Sequence, residues 1–122
     1  MRNKLSYVLT SLIGILLLLS AAGKFKGGED LLAGFQHLGI EPEMATFLGS
    51  LEAMVALLVL VPRTSFIGTI LLTGYMGGAI FCHVRVHDLV IVQILVPTLA
   101  WVGFSLRNYA EVLALLGLKR PH

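Results

Sequence analysis

The chain contains one cysteine, Cys82, and no second thiol to pair with it. An intramolecular disulfide and a CxxC redox pair are therefore both excluded, and with them a dithiol oxidoreductase mechanism within this chain. Charge is scarce as well. Asp, Glu, Lys and Arg make up 13% of the residues, about half the ~25% share usual in soluble domains. The net charge is only +2, with no Lys/Arg-rich stripe, so no nucleic-acid partner is expected. Internal repeats, low-complexity segments and linkers are also absent.

What the sequence does hold is apolar side chain, 57% of 122 residues. A water-soluble fold of this size cannot bury so much apolar surface, whereas a lipid bilayer removes the need to. The length suits one domain. Four stretches, 5–23, 44–61, 65–84 and 89–106, are apolar over roughly the 17–25 residues that a crossing requires. The first also has the look of a signal peptide, with Arg2 and Lys4 ahead of the apolar run and Ser20-Ala21-Ala22 at its end. With Met1 retained, a membrane span is the reading expected.

Pro62-Arg63-Thr64 and Arg85-Val86-His87-Asp88 are links short enough to force antiparallel neighbours. The loop 24–43 is longer, and Leu31, Leu32, Phe35 and Leu38 recur in it at helical spacing. That pattern predicts a short amphipathic helix lying on the membrane or folding over the bundle mouth. Pro42 suits the first turn of the second span. After Leu106, Asn108 and Glu111 resemble a capping box ahead of Val112, Leu113, Leu115 and Leu116, which predicts an interfacial tail helix. The expected fold is thus all-α, a single four-helix transmembrane domain over 1–122 with short interfacial helices.

Orientation follows the Lys and Arg count. With the N-terminus inside, Arg2, Lys4, Arg63, Arg107, Lys119 and Arg120 face the cytoplasm, against Lys24, Lys26 and Arg85 outside. Both termini are expected in the cytoplasm.

Glu52 is the most informative residue. It lies about eight residues into the second span, roughly 12 Å deep, where an unpaired carboxylate costs several kcal/mol. Gly49, Ala53 and Ala56 share its face, which suits a helix–helix contact, so Glu52 is expected to point inward. Lys24 ends the first span and His83 lies near the outer end of the third. Helical side chains tilt toward their own N-terminus. Lys24 and His83 therefore lean into the membrane while Glu52 leans outward, and all three converge on the outer half. This predicts a buried acid–base site. Glu52 would exchange a proton, His83 would shuttle it, and Lys24 or Arg85 would hold an anionic or enolic oxygen. The rival reading is a Lys24–Glu52 ion pair that locks helix register.

Other positions carry weaker signals. Tyr75 could offer its hydroxyl to a ligand or simply be a packed aromatic. Gln93, Pro97 and Trp101 recur every four residues, as the wall of a cavity for a flat apolar ligand or as packing with an interfacial tryptophan. Gly74 and Gly78 have GxxxG spacing, which marks a close crossing, within the chain or in a homodimer. The run His83-Val84-Arg85-Val86-His87-Asp88 is read as a turn, with Asp88 capping the fourth helix, and not as a metal site. Paired haem ligation is not expected either, since His83 is the only histidine inside a span.

The motif order is Ser20-Ala21-Ala22-Gly23-Lys24-Phe25, then Phe35 and Leu38-Gly39, then Glu52, then Gly78-Ala79-Ile80-Phe81-Cys82-His83. This resembles the DoxX family of small four-helix bacterial membrane proteins, in its DoxX-like branch, over nearly the whole chain. The resemblance implies a bacterial inner membrane. It also implies a role beside thiosulfate or quinone redox chemistry, or as partner to an oxidative-stress enzyme. Lys24, Glu52 and His83 match the family's recurring polar set, while relatives with paired cysteines find no match in the lone Cys82. Three functions are compatible. One is a membrane subunit or small enzyme handling a lipophilic, quinone-like substrate, with no resident cofactor. The second is a non-enzymatic accessory or scaffold that recruits a membrane partner protein. The third is an intramembrane isomerase or hydrolase with Glu52 as acid/base.

Overall fold

A computed structural model describes residues 1–118; Lys119 and Arg120, counted above toward orientation, lie outside the described residues. Among the described residues the chain folds into six α-helices and no strand. They are α1 (Arg2–Lys26), α2 (Glu29–Leu38), α3 (Met44–Leu60), α4 (Ser65–Arg85), α5 (Ile91–Arg107) and α6 (Tyr109–Leu115), with a 3-10 turn at Pro62–Thr64. Two segments, Arg2–Lys26 and Pro62–Arg85, are by themselves long and apolar enough to cross a membrane. α3 and α5 have 17 residues each, a rise of about 26 Å. α6 turns away from α5 by 114° at Asn108. The architecture is therefore less regular than a plain bundle of four equal spans.

The four longer helices pack in a closed ring in which α1 touches α3 and α5, and α4 touches the same two. Their shared core is Ile13, Leu17, Val55, Ala56, Val59, Leu72, Met76 and Ala100. Glycines set the close approaches. Gly49 faces the backbone of Ala21, Gly68 faces that of Leu58 and Val59, and Gly103 faces Leu9, Thr10 and the Ser6 carbonyl. Hydroxyls and one cation tie the opposite end. Ser6 donates to the Gly103 carbonyl, and Arg107 donates to Ser6 Oγ at 2.9 Å and Thr10 Oγ1 at 3.2 Å.

Polarity runs inside out. Ser6, Thr10, Glu52, Ser65 and Thr69 are buried, while Leu12, Leu16, Leu19, Phe47, Leu57, Ile67, Phe81, Ile94 and Leu95 are exposed. In water such a surface would aggregate; in lipid it is the solvated face.

Several local expectations are corrected. Gly74 and Gly78 make no crossing within the chain, because a Cβ at either would meet nothing within 4 Å. GxxxG spacing puts two glycines on one face without saying whether a helix lies against it. Asp88 does not cap α5, whose N-cap is Val90 without a side-chain bond, because its carboxylate is engaged by two histidines. Asn108 does not form a capping box; its amide donates back to the Phe104 carbonyl at 3.0 Å. Pro42 lies in the turn ahead of α3, where its carbonyl accepts from Ala45 N.

Candidate functional site

Lys24 and Glu52 meet where α1 and α3 cross, and Gly49 is what lets them. One turn before Glu52 it leaves room for Lys24 Cβ and the Ala21 carbonyl. Lys24 Nζ stands 2.9 Å from Glu52 Oε1, and it also donates to Ser20 Oγ at 2.9 Å. The Glu52 side chain is 5% exposed and that of Lys24 15%. The Tyr75 hydroxyl of α4 lies beside the same carboxylate. No buried side-chain nitrogen or oxygen among the described residues lacks a partner.

A largely apolar cavity of about 620 Å³ opens above this pair. Lys24 lines it and Glu52 does not. Its walls come from α2 (Leu31, Phe35, Leu38), α3 (Met44, Leu48, Leu51) and α4 (Gly74, Tyr75, Gly78, Cys82, His83). The two glycines leave this space unfilled.

At the cavity's outer edge a histidine pair shares one carboxylate. His83 Nδ1 lies 3.0 Å from Asp88 Oδ2, and His37 Nε2 lies 2.9 Å from Asp88 Oδ1. The chain reverses sharply to allow this. After α4, His87 adopts a left-handed conformation (φ 64°), and Asp88 N donates to the His83 carbonyl. This is a Schellman ending with histidine in the place usually held by glycine. It folds Asp88 back over His83. The Asp88 carboxyl is held below its usual value, chiefly by the hydrogen bond from His37 and then by that from His83.

The structure thus brings Lys24 and Glu52 into contact and sets Lys24, Tyr75 and His83 around one cavity, but His83 bonds Asp88 and not Glu52. The other expected ligand-binding positions lie elsewhere. Trp101 donates to Thr73 Oγ1 at 2.8 Å and packs edge-on to Phe66 and Phe104. Arg85 donates to the Leu38 carbonyl at the end of α2. Gln93 does not line the cavity either. Periodicity puts these residues on a face but does not say which way the helix is rotated. The pairing of Asp88 with His37 has no signal in the sequence. They are 51 positions apart, and only the path of α2 joins them.

Apolar helices with lipid-facing hydrophobic side chains outside and an ion pair and hydroxyls inside define an integral membrane protein. Within that class the chain belongs to the DoxX-like family, whose sequence model matches residues 8–107. No curated protein and no solved structure matches it.

Proposed function

We propose that this protein binds a lipophilic, quinone-like small molecule in the cavity under α2. In this reading α1, α3, α4 and α5 all cross the membrane as one transmembrane domain. Both termini face the cytoplasm of a bacterial inner membrane, and the cavity sits in the outer half. A rise of about 26 Å for α3 and α5 is close to the ~30 Å hydrocarbon thickness. Arg2, Lys4, Arg63 and Arg107 at one end, against Lys24, Lys26 and Arg85 at the other, support the orientation.

The observation that carries the reading is Lys24, one face on the cavity and one on Glu52. An ammonium at the floor of an apolar cavity is placed to donate to a ligand carbonyl. Glu52 holds that ammonium and can exchange its proton without touching the ligand. His83, at the cavity edge and tied to Asp88, is a second proton-bearing group. The electrons of any quinone chemistry would come from a partner membrane protein, so this chain binds, orients and protonates. A second reading, an accessory or scaffold protein, is favoured by the complete satisfaction of buried polar groups, as a lock requires.

Mass spectrometry of lipophiles that copurify in detergent separates the two. A ligand reading requires a quinone-class molecule on the wild-type protein and its loss from Lys24→Met. Wild-type protein that carries only bulk phospholipid and takes up no added ubiquinone or menaquinone would leave the scaffold reading standing.

A further inference from the structure

We infer that α2 is a hinged lid over the cavity, held shut by Asp88 and Arg85. The inference rests on the cavity being a ligand site, and it concerns how that site is reached.

α2 is attached unlike the other helices. It supplies a wall of the cavity through Leu31, Phe35 and Leu38, yet forms no extended backbone contact with any other helix. Phe35 is its one buried residue. With 10 residues it is too short to be stable without tertiary support. Its N-terminal connection is Gly27-Gly28, with φ of 74° and 114°, conformations that glycine adopts without strain. Its C-terminal connection is residues 39–43, which can extend to about 16 Å. The helix can therefore lift without unwinding α1 or α3.

What opposes lifting is two side-chain contacts near the C-terminal end of α2, both from the α4–α5 corner. Asp88 takes both carboxylate oxygens to His37 Nε2, at 2.9 and 3.0 Å. Arg85 donates to the Leu38 carbonyl. Glu29 and Asp30, at the other end, make no side-chain hydrogen bond among the described residues. A hinge at one end and two latches at the other let α2 open toward the outer surface. Asp88 joins the lid to the site, because the same carboxylate orients His83 on the cavity wall.

Cys82 reports the opening, since it is the chain's only thiol and lines the cavity half-buried. Its alkylation by a water-soluble, negatively charged maleimide is followed in the full-length protein in detergent. Asp88→Asn and Arg85→Gln should each speed alkylation about fivefold, as loss of a partly exposed contact allows. The double variant should multiply the two effects. Thr98→Ala, on α5 away from both latch and cavity, removes only a hydroxyl bonded to the Ile94 carbonyl and should alkylate at the wild-type rate. Wild-type rates in both latch variants, with unchanged thermal unfolding, would overturn the lid. If Asp88→Asn unfolds, Arg85→Gln decides alone, because it leaves both histidine contacts in place. The measurement needs no bound ligand. An empty cavity therefore defeats the ligand reading and leaves this test unaffected.

Discussion

Lys24 Nζ and Glu52 Oε1 stand 2.9 Å apart across the α1–α3 crossing, with the carboxylate nearly sealed and Lys24 part of the cavity lining. The two partners are thus unequal. Glu52 has lost its solvent and depends on Lys24, whereas Lys24 is more exposed, at 15% against 5%, and has Ser20 as a second partner.

That inequality makes a thermal prediction. Glu52→Gln leaves the lysine charge half-buried and unpaired, and should cost roughly 3 kcal/mol of stability. Adding Lys24→Met removes the stranded charge and should restore most of the loss, measured as Tm in detergent. Copurified lipophile should not return with it, because the donor to the ligand has gone as well. Recovery of both stability and ligand in the double variant would assign the pair a purely structural role.

The Asp88 latch is sensitive to acid. Its carboxyl is held below the ordinary value of 3.8 by His37 first and His83 second. A lowered folded-state value means that its contribution is fully present above pH 3.8 and is lost as the pH falls through the lower folded value. Hydrogen exchange in α2, corrected for the intrinsic rate, should therefore rise in that acid window. In Asp88→Asn it should be raised throughout, with no acid step. A wild-type α2 that stays equally protected down to pH 2 would count against the latch.

How much of this could be read in the sequence depends on the distance over which each signal acts. The helices at 5–23, 44–61, 65–84 and 89–106 follow from apolar run length, a local quantity. The approach of Lys24 to Glu52 follows from helix direction alone, since Cβ tilt fixes which way each side chain leans. The roles expected for Arg85, Gln93 and Trp101 needed helix rotation, which periodicity leaves free. Gly74 and Gly78 were ambiguous for the same reason, because an absent side chain looks identical whether a helix or a cavity lies beside it. Asp before an apolar run is usually a helix cap, and the sequence around Asp88 points to that role. Nothing local reveals that His37 competes for it.

The α4–α5 corner holds a removable strain. His87 adopts φ 64°, a region that costs a non-glycine residue about 1 kcal/mol. No hydrogen bond or ion pair of its side chain compensates among the described residues. His87→Gly should raise stability by about 1 kcal/mol, read as a higher Tm, and leave Cys82 alkylation unchanged or slower because the latch turn is reinforced. A lower Tm would mean that the imidazole does something at this corner that its geometry does not reveal.

Two glycine substitutions on α4 separate packing from the cavity. At Gly68 a new Cβ would lie 2.5 Å from Val59 N and 2.6 Å from the Leu58 carbonyl carbon. Backbone cannot yield as a side chain can, so Gly68→Val should destabilise by at least about 3 kcal/mol. At Gly78 a new Cβ meets nothing within 4 Å, and leucine has the higher helix propensity. Gly78→Leu should therefore fold as well as wild type. Its side chain would enter the cavity opposite α2, and binding of an added quinone should weaken at least about tenfold, or 1.4 kcal/mol. If Gly78→Leu instead folds normally and binds as wild type does, the ligand lies elsewhere and the cavity is a packing defect. If it destabilises as strongly as Gly68→Val, the face of α4 is covered in the membrane by a second copy or a partner, and GxxxG was a contact signal after all.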